Sequence, residues 1–223
     1  MKTDISIIIL NYNRSTFLER SIRSCVDQII FNKTIEIMIV DDGSTDNSHK
    51  ILNNLKSNNN IKVFKNKKNM GIGYSSNFAL KKAKGDYIIR VDSDDFLNKH
   101  AIQVMSGILD FNKEISMVYC DHFRVDVEGH KEKLVRLNTL SKIRNHGAGI
   151  LFRKKHIIKV GGYNKHLKEA EDYELISKLK KKKYKSFYLP VPLYRYYIHK
   201  NNISASGNRV KEILKIKEMH NLL

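Results

Sequence analysis

At 223 residues, with 41% apolar and 29% charged side chains, the chain can bury one large core, or one core with a small appendage. No apolar stretch approaches the roughly 20 residues of a membrane helix, and the short run in MKTDISIIIL lacks a signal-peptide cleavage site, so a cytoplasmic protein is expected. The formal charge of +18 is lopsided: residues 1–111 hold 16 Lys and Arg against 12 Asp and Glu, and residues 112–223 hold 25 against 11.

In chain order, ISIIIL (5–10) is a continuous β-branched run that predicts a strand buried on both faces. Residues 15–28 carry Phe17, Leu18, Ile22, Cys25 and Val26 at helical spacing, with Ser15 or Thr16 as cap. IEIMIV (35–40) predicts a second strand, followed by the turn DDGSTD and a helix through Ile51, Leu52 and Leu55. IKVF (61–64) predicts a third strand, and NMGIGYSSN (69–77) a glycine-containing loop running into a helix at 75–83. YIIRV (87–91) makes a fourth strand that ends on DSDD. Beyond it come a helix at 99–112, a strand at 115–121 and a hairpin around Glu128 and Gly129. A strand at 149–152, a short helix to Val160 and a turn at Gly161 and Gly162 follow. A further helix begins near Glu171, and Pro190 and Pro192 keep 187–199 extended. The last helix, 208–220, is amphipathic through Val210, Ile213, Leu214 and Ile216.

Strands alternating with helices predict an α/β domain with a Rossmann-like mixed, mostly parallel central sheet flanked by helices. Ligands of such sheets bind beyond the carboxyl ends of the strands. Parallel strands would bring NYNR (11–14), DDGSTD (41–46) and DSDD (92–95) to one edge. Cys25 and Cys120 have no metal-site spacing and read as buried reduced thiols. The lysine run KLKKKKYK (178–185) is either a solvated helix end or a patch drawn to polyanions.

Asp92, Asp94 and Asp95 crowd three like charges into four positions after a buried strand. Carboxylates so placed suit Mg²⁺ or Mn²⁺, whose shells are completed by water and substrate phosphates. An Asx-rich turn or a helix cap uses the same residue type. A carboxylate at Asp41 or Asp42 could accept a nucleobase N–H, or cap a turn while Asp46 starts the next helix. Glu171 and Asp172 could be first-turn carboxylates complementing a helix dipole. GIGYSSN is not a dinucleotide fingerprint, because it lacks the third glycine and follows the third strand.

SIIILNYNR, IVDDGSTDNS and NMGIGYSSNFALKKAKGDYIIRVDSDD, followed by GGYN…EAEDYEL (161–175) and YRYYIHKNNIS (194–204), resemble glycosyltransferase family 2 from about residue 4 to 206. The resemblance implies a GT-A fold and an inverting transfer from a nucleoside-diphosphate sugar, with UDP-sugar favoured by family habit. It implies one domain over 1–223, with a nucleotide-sugar half (1–98), an acceptor-side half (99–206) and a basic C-terminal helix (207–223). Asp42 would bond the nucleobase, with Tyr12 and Asn13 lining the same pocket, Arg14 near the nucleotide and Gly71 beside the donor. Asp92 would lie against ribose or sugar, Asp94 would bind Mn²⁺ or Mg²⁺ at the diphosphate, and Asp95 would be a further contact. His199 would be a late metal or diphosphate ligand, Glu171 a donor-sugar contact and Asp172 the catalytic base. His146 precedes three small residues that would let a sugar approach, or is an ordinary loop histidine.

A glycan or lipid-linked acceptor would fall to residues 120–170 and the last helix, with a peripheral contact on an anionic membrane as an extension of the basic half. A sugar nucleotidyltransferase is the rival enzyme, although NYNRSTF stands where its glycine-rich signature belongs. A nucleic-acid binder has only charge in its favour, and no nucleic-acid partner is expected.

Overall fold

The computed structural model describes residues 3–55, 60–139, 147, 149–199, 202 and 207–220. His146 lies outside them. Strands β1 (Ile5–Asn11), β2 (Ile35–Asp41), β3 (Ile61–Lys65) and β4 (Tyr87–Asp92) are all parallel, with β1 between β2 and β4. They alternate with helices α1 (Ser15–Val26), α2 (Ser48–Asn53) and α3 (Ile72–Lys82). Next come β5 (Phe96–Leu97), α4 (Ala101–Phe111), β6 (Ile115–Val125), β7 (Lys131–Val135) and β8 (Ile150–Arg153). The chain then runs through α5 (Lys154–Lys159), α6 (Glu171–Lys181), β9 (Lys185–Tyr197) and α7 (Gly207–Met219).

One nine-stranded sheet runs β3-β2-β1-β4-β8-β6-β9-β5, with β7 paired to β6. The first half is wholly parallel. In the second half β8 lies antiparallel between β4 and β6, and β6 and β9 are parallel. The sheet is therefore mixed, with its uninterrupted parallel stretch confined to the first half.

Helices on both faces explain the unbroken apolar runs. Ile5, Ile7 and Ile9 enter one core with Leu18, Ile22, Ile102 and Met105, while Ile8 and Leu10 enter the other with Ala79, Leu80, Ile157 and Ile176. Successive strand residues point to opposite faces, so a two-sided core needs apolar side chains at every position. α3 starts three residues earlier than the sequence reading places it, with Gly71 as its N-cap at φ 90°. Gly73 in its first turn lets the backbone at Asn164 pass so close that a Cβ would lie 2.5 Å from the Asn164 oxygen. Cys25 and Cys120 are buried and unbridged, and burial pushes each thiol up to about 12.

α6 begins at the cleft described below and is 11 residues long, so its lysine-rich end is about 15 Å away. Lys185 pairs with Ile115 at the end of the sheet where β4 starts, not where it finishes. The densest basic run is thus remote from the strand ends that carry the acidic motifs. No helix among the described residues is long and apolar enough to cross a membrane.

Candidate active site

Parallel register sets Asn11 opposite Asp41 and Leu10 opposite Asp92. The loops leaving β1, β2 and β4 therefore meet, as the sequence predicts, and they border a cleft of about 730 Å³. Tyr12, Arg14, Asp42, Gly71, Asp92, Asp94, Glu171 and Asp172 all line it. Asn13, Asp95 and His199 do not, although His199 touches Asp94, which does.

Asp42 folds the 69–71 loop around itself. Its Oδ1 accepts from Asn66 Nδ2 at 2.6 Å and Met70 N at 2.9 Å, and its Oδ2 accepts from Gly71 N at 2.9 Å. A Cβ on Gly71 would meet nothing within 4 Å, so this stretch of wall is open. The neighbouring Asp41 is fully buried and accepts from Asn11 Nδ2 and Ser44 Oγ, which makes it a brace between β1 and β2. Asn13 is a brace as well, contrary to its expected place in the nucleotide pocket. At φ 52° its Oδ1 accepts from the amides of Thr45, at 2.8 Å, and Asp46, at 3.3 Å. Tyr12 is 43% exposed and its ring is available to a ligand.

The DSDD turn divides its carboxylates. Asp94 Oδ2 accepts from Arg14 Nε at 3.2 Å and meets His199 Nε2 at 2.9 Å. The His199 ring stacks on Tyr197 and Phe17, which fixes its plane. Asp95 instead points into the protein, where it is 1% exposed and accepts from Tyr194 Oη and Tyr197 N, both at 2.9 Å. Burial, with Asp94 and Asp92 nearby, pushes its carboxyl well up. It ties β9 to the turn and is not positioned as the further metal or sugar contact expected of it.

Two arginines that sequence reasoning missed organise the opposite wall. Arg90 Nη1 donates to Glu171 Oε1 at 2.5 Å, and its Nε lies 3.3 Å from Asp92 Oδ1. Burial pushes the Glu171 carboxyl up, and Arg90 pulls against that. Asp92 is likewise raised by burial against the pull of Arg90. The signal was present in YIIRV, where a strand buried on both faces calls for an apolar residue at position 90. Arg209, on α7, sets one nitrogen 3.1 Å from both oxygens of Asp172. Burial disfavours the Arg209 cation, but Asp172 outweighs it and raises the group. Nothing local in NRVKEIL marks that arginine out. Ala170, immediately before the two acids, is held in the left-handed region at φ 59° and is fully buried. Strain of this kind in a non-glycine residue concentrates at functional sites.

A carboxylate oxygen and an imidazole nitrogen already in contact, Asp94 and His199, form a donor set that fits Mn²⁺ or Mg²⁺ with the remaining positions left to water and phosphate. Among the described residues one trio, Asp126, Glu128 and His130, brings three potential ligand atoms within 4.8 Å of one another. It is a hairpin turn bonded to itself, with His130 N donating to Asp126 Oδ1 at 2.7 Å, and it is remote in sequence from the cleft's motifs.

Comparison with known proteins matches residues 6–172 to the model of the family described as Glycosyl transferase family 2. Chondroitin synthase of Pasteurella multocida is 31% identical over 187 residues, covering 78% of this chain and 18% of that protein. Chondroitin synthase of Escherichia coli is 33% identical over 189 residues, covering 78% and 26%. The chain thus spans a minor part of these relatives. Among solved structures, S. aureus TarS 1–349 in complex with UDP-GlcNAc superimposes with a TM-score of 0.81 at 20% identity, over 99% of this chain and 66% of that one. Mannosyltransferase PcManGT from Pyrobaculum calidifontis, in complex with GDP-Man and Mn²⁺, gives 0.73 at 15% identity, over 100% and 71%. Those likenesses establish the GT-A fold.

Proposed function

The chain belongs to glycosyl transferase family 2, and we propose that it is a glycosyltransferase that moves a sugar from a UDP-sugar to a glycan acceptor hydroxyl, with inversion and with help from a divalent cation. The observation that carries this reading is the meeting of Asp42, Asp94 and Asp172 in one cleft although 130 positions separate the first from the last. The UDP-GlcNAc complex of TarS supports uridine, the Mn²⁺ complex of PcManGT supports a metal, and the chondroitin synthases support a glycan acceptor.

In this reading Asp42 takes the base N–H and Tyr12 covers the base. Arg14 and His199 hold Asp94 at the diphosphate, and Asp94 and His199 would hold the ion. A divalent ion bound there supplies positive charge against the departing diphosphate. Glu171, fixed by Arg90, faces the donor sugar beside Asp92. The acceptor oxygen attacks the anomeric carbon, its proton passes to a carboxylate oxygen of Asp172, and the bond to the diphosphate oxygen breaks with its electron pair on that oxygen. No enzyme nucleophile is needed, so the carbon inverts. The whole chain acts as one unit, residues 1–98 serving the donor and 99–206 with α7 forming the acceptor side, from which Glu171 and His199 reach back to the donor. The lysine run has no part in this chemistry.

The test is transfer and donor hydrolysis with a panel of nucleotide sugars and Mn²⁺. Loss of a general base costs about 10²–10⁴ in rate, so Asp172→Asn should lose transfer by that factor, and Asp94→Ala should lose both transfer and hydrolysis. An Asp172→Asn protein that keeps most of its transfer rate refutes the base assignment.

A further inference from the structure

The carboxylate of Asp172 has no room for a proton donor from outside. Its Oδ1 accepts from Tyr173 N at 2.7 Å and Arg209 Nη2 at 3.1 Å, and its Oδ2 accepts from Gly147 N at 2.7 Å and the same Arg209 nitrogen at 3.1 Å. An ionised carboxylate offers about four lone-pair sites, and four contacts occupy them. Both residues are more than nine-tenths buried at the wall of the cleft. An acceptor hydroxyl can reach Asp172 only after one donor leaves. Two of the donors are backbone amides. Arg209 is the one on a side chain that can swing.

The surroundings say where it would go. Arg209 lines the same cleft as Arg90, Asp92 and Asp94, so the D-x-D turn shares with it the space it borders over Asp172. Its helix is firmly seated: Ile216 is fully buried against Ala170 and Tyr173, Glu212 accepts from Glu169 N at 2.9 Å, and His220 meets Glu174 at 3.3 Å. The side chain can therefore change partner without its backbone moving. Guanidinium groups pair with carboxylates and phosphates through the same fork of donors.

We propose that Arg209 is a substrate-operated latch: it rests on Asp172 in the empty enzyme and transfers to an anionic group of the bound substrate, the donor diphosphate at the D-x-D turn, so that the base opens only when the cleft is loaded. This rests on the assignment of Asp172 as the base. It makes binding and deprotection one event, because a ligand that engages a minor conformation loses affinity by the fraction of protein in that conformation.

That coupling has a direct readout in binding. With the latch closed in about nine molecules in ten, freeing it raises apparent affinity about tenfold. UDP with Mn²⁺ should therefore bind Asp172→Asn about tenfold more tightly than the unaltered protein by calorimetry, and Arg209→Gln more weakly. In the Arg209→Gln background, Asp172→Asn should bring no gain. Glu171→Gln removes a neighbouring charge without releasing Arg209 and sets the size of the simple field effect. A second arm titrates methyl phosphate and glucuronate into the UDP-loaded proteins; an Arg209-dependent gain there alone keeps the latch and moves its anion to the acceptor. No gain in either arm, a gain that survives Arg209→Gln, or a gain matched by Glu171→Gln overturns the latch. Those outcomes leave the base assignment standing, since it depends on the transfer rate of Asp172→Asn alone.

Discussion

Replacing Arg90 by methionine is the sharpest test of how the donor wall is held. The side chain is 10% exposed and serves Glu171, 3% exposed, at 2.5 Å and Asp92 at 3.3 Å, with its guanidinium 5.9 Å from the Tyr163 ring centre. Methionine keeps most of the stem but leaves Glu171 buried without its counter-ion, an error that costs about 3–5 kcal/mol. For a chain of this size that is a fall in Tm of roughly 10 °C. The loss must also depend on pH. Burial already holds the Glu171 carboxyl above its ordinary value, and Arg90 is the main group pulling it down. Without Arg90 it rises further. A carboxyl raised in the fold binds its proton more tightly there than in the unfolded chain, so its contribution falls as pH rises. The deficit of Arg90→Met should be largest near about pH 7–8 and shrink toward about pH 5 as Glu171 takes a proton. Urea unfolding at several pH values measures it, and adding Glu171→Gln should recover at least half of the loss. A deficit under about 1 kcal/mol, equal at every pH, would refute the counter-ion argument.

Two further outcomes concern stability elsewhere. Arg153 is 7% exposed and donates to the carbonyls of Ile115, Leu109 and Asn112, closing the end of α4; Arg153→Met should cost about 3 kcal/mol in urea unfolding, from carbonyls left buried and unpaired, and a loss below about 1 kcal/mol would show that water replaces it. Asp46 accepts from Ser15 N at 2.8 Å and Ser48 N at 3.0 Å at the starts of α1 and α2, and these bonds outweigh burial to bring its carboxyl down to about 2. A lowered carboxyl stabilises above its unfolded value and loses that contribution as pH falls through its folded value, so Asp46→Asn should cost about 1 kcal/mol at neutral pH, with the gap roughly halved by about pH 3; a gap constant with pH would sink the assignment.

The first half of the fold was legible because its strands are buried on both faces, and a long β-branched run has few other uses. β5 was missed because two residues carry no periodicity. β6 runs four residues past the expected end because Asp121 and His122 look like a boundary yet are buried, Asp121 accepting from Leu137 N and Tyr188 Oη. At the site, sequence motifs identified which short stretches mattered but not which member of each faces the ligand. Asn13 and Asp95 sit beside Tyr12 and Asp94, and single-residue differences in direction turned them inward. Arg90–Glu171 and Arg209–Asp172 pairs span 81 and 37 positions. Spacing cannot reveal such pairs, although a lone cation within a buried strand announces that some partner exists.

β8 is four residues long, and it is the splice between β4 and β6. Until residues 150–153 are in place, β4 ends the parallel half as an open edge carrying Ile88, Ile89 and Val91, all nearly inaccessible in the finished protein. Such an edge recruits strands from other molecules. During synthesis, the amino-terminal half must wait for the splice with a sticky margin exposed, and a chain truncated before residue 150 should come out of cells as inclusion bodies rather than as a smaller soluble domain.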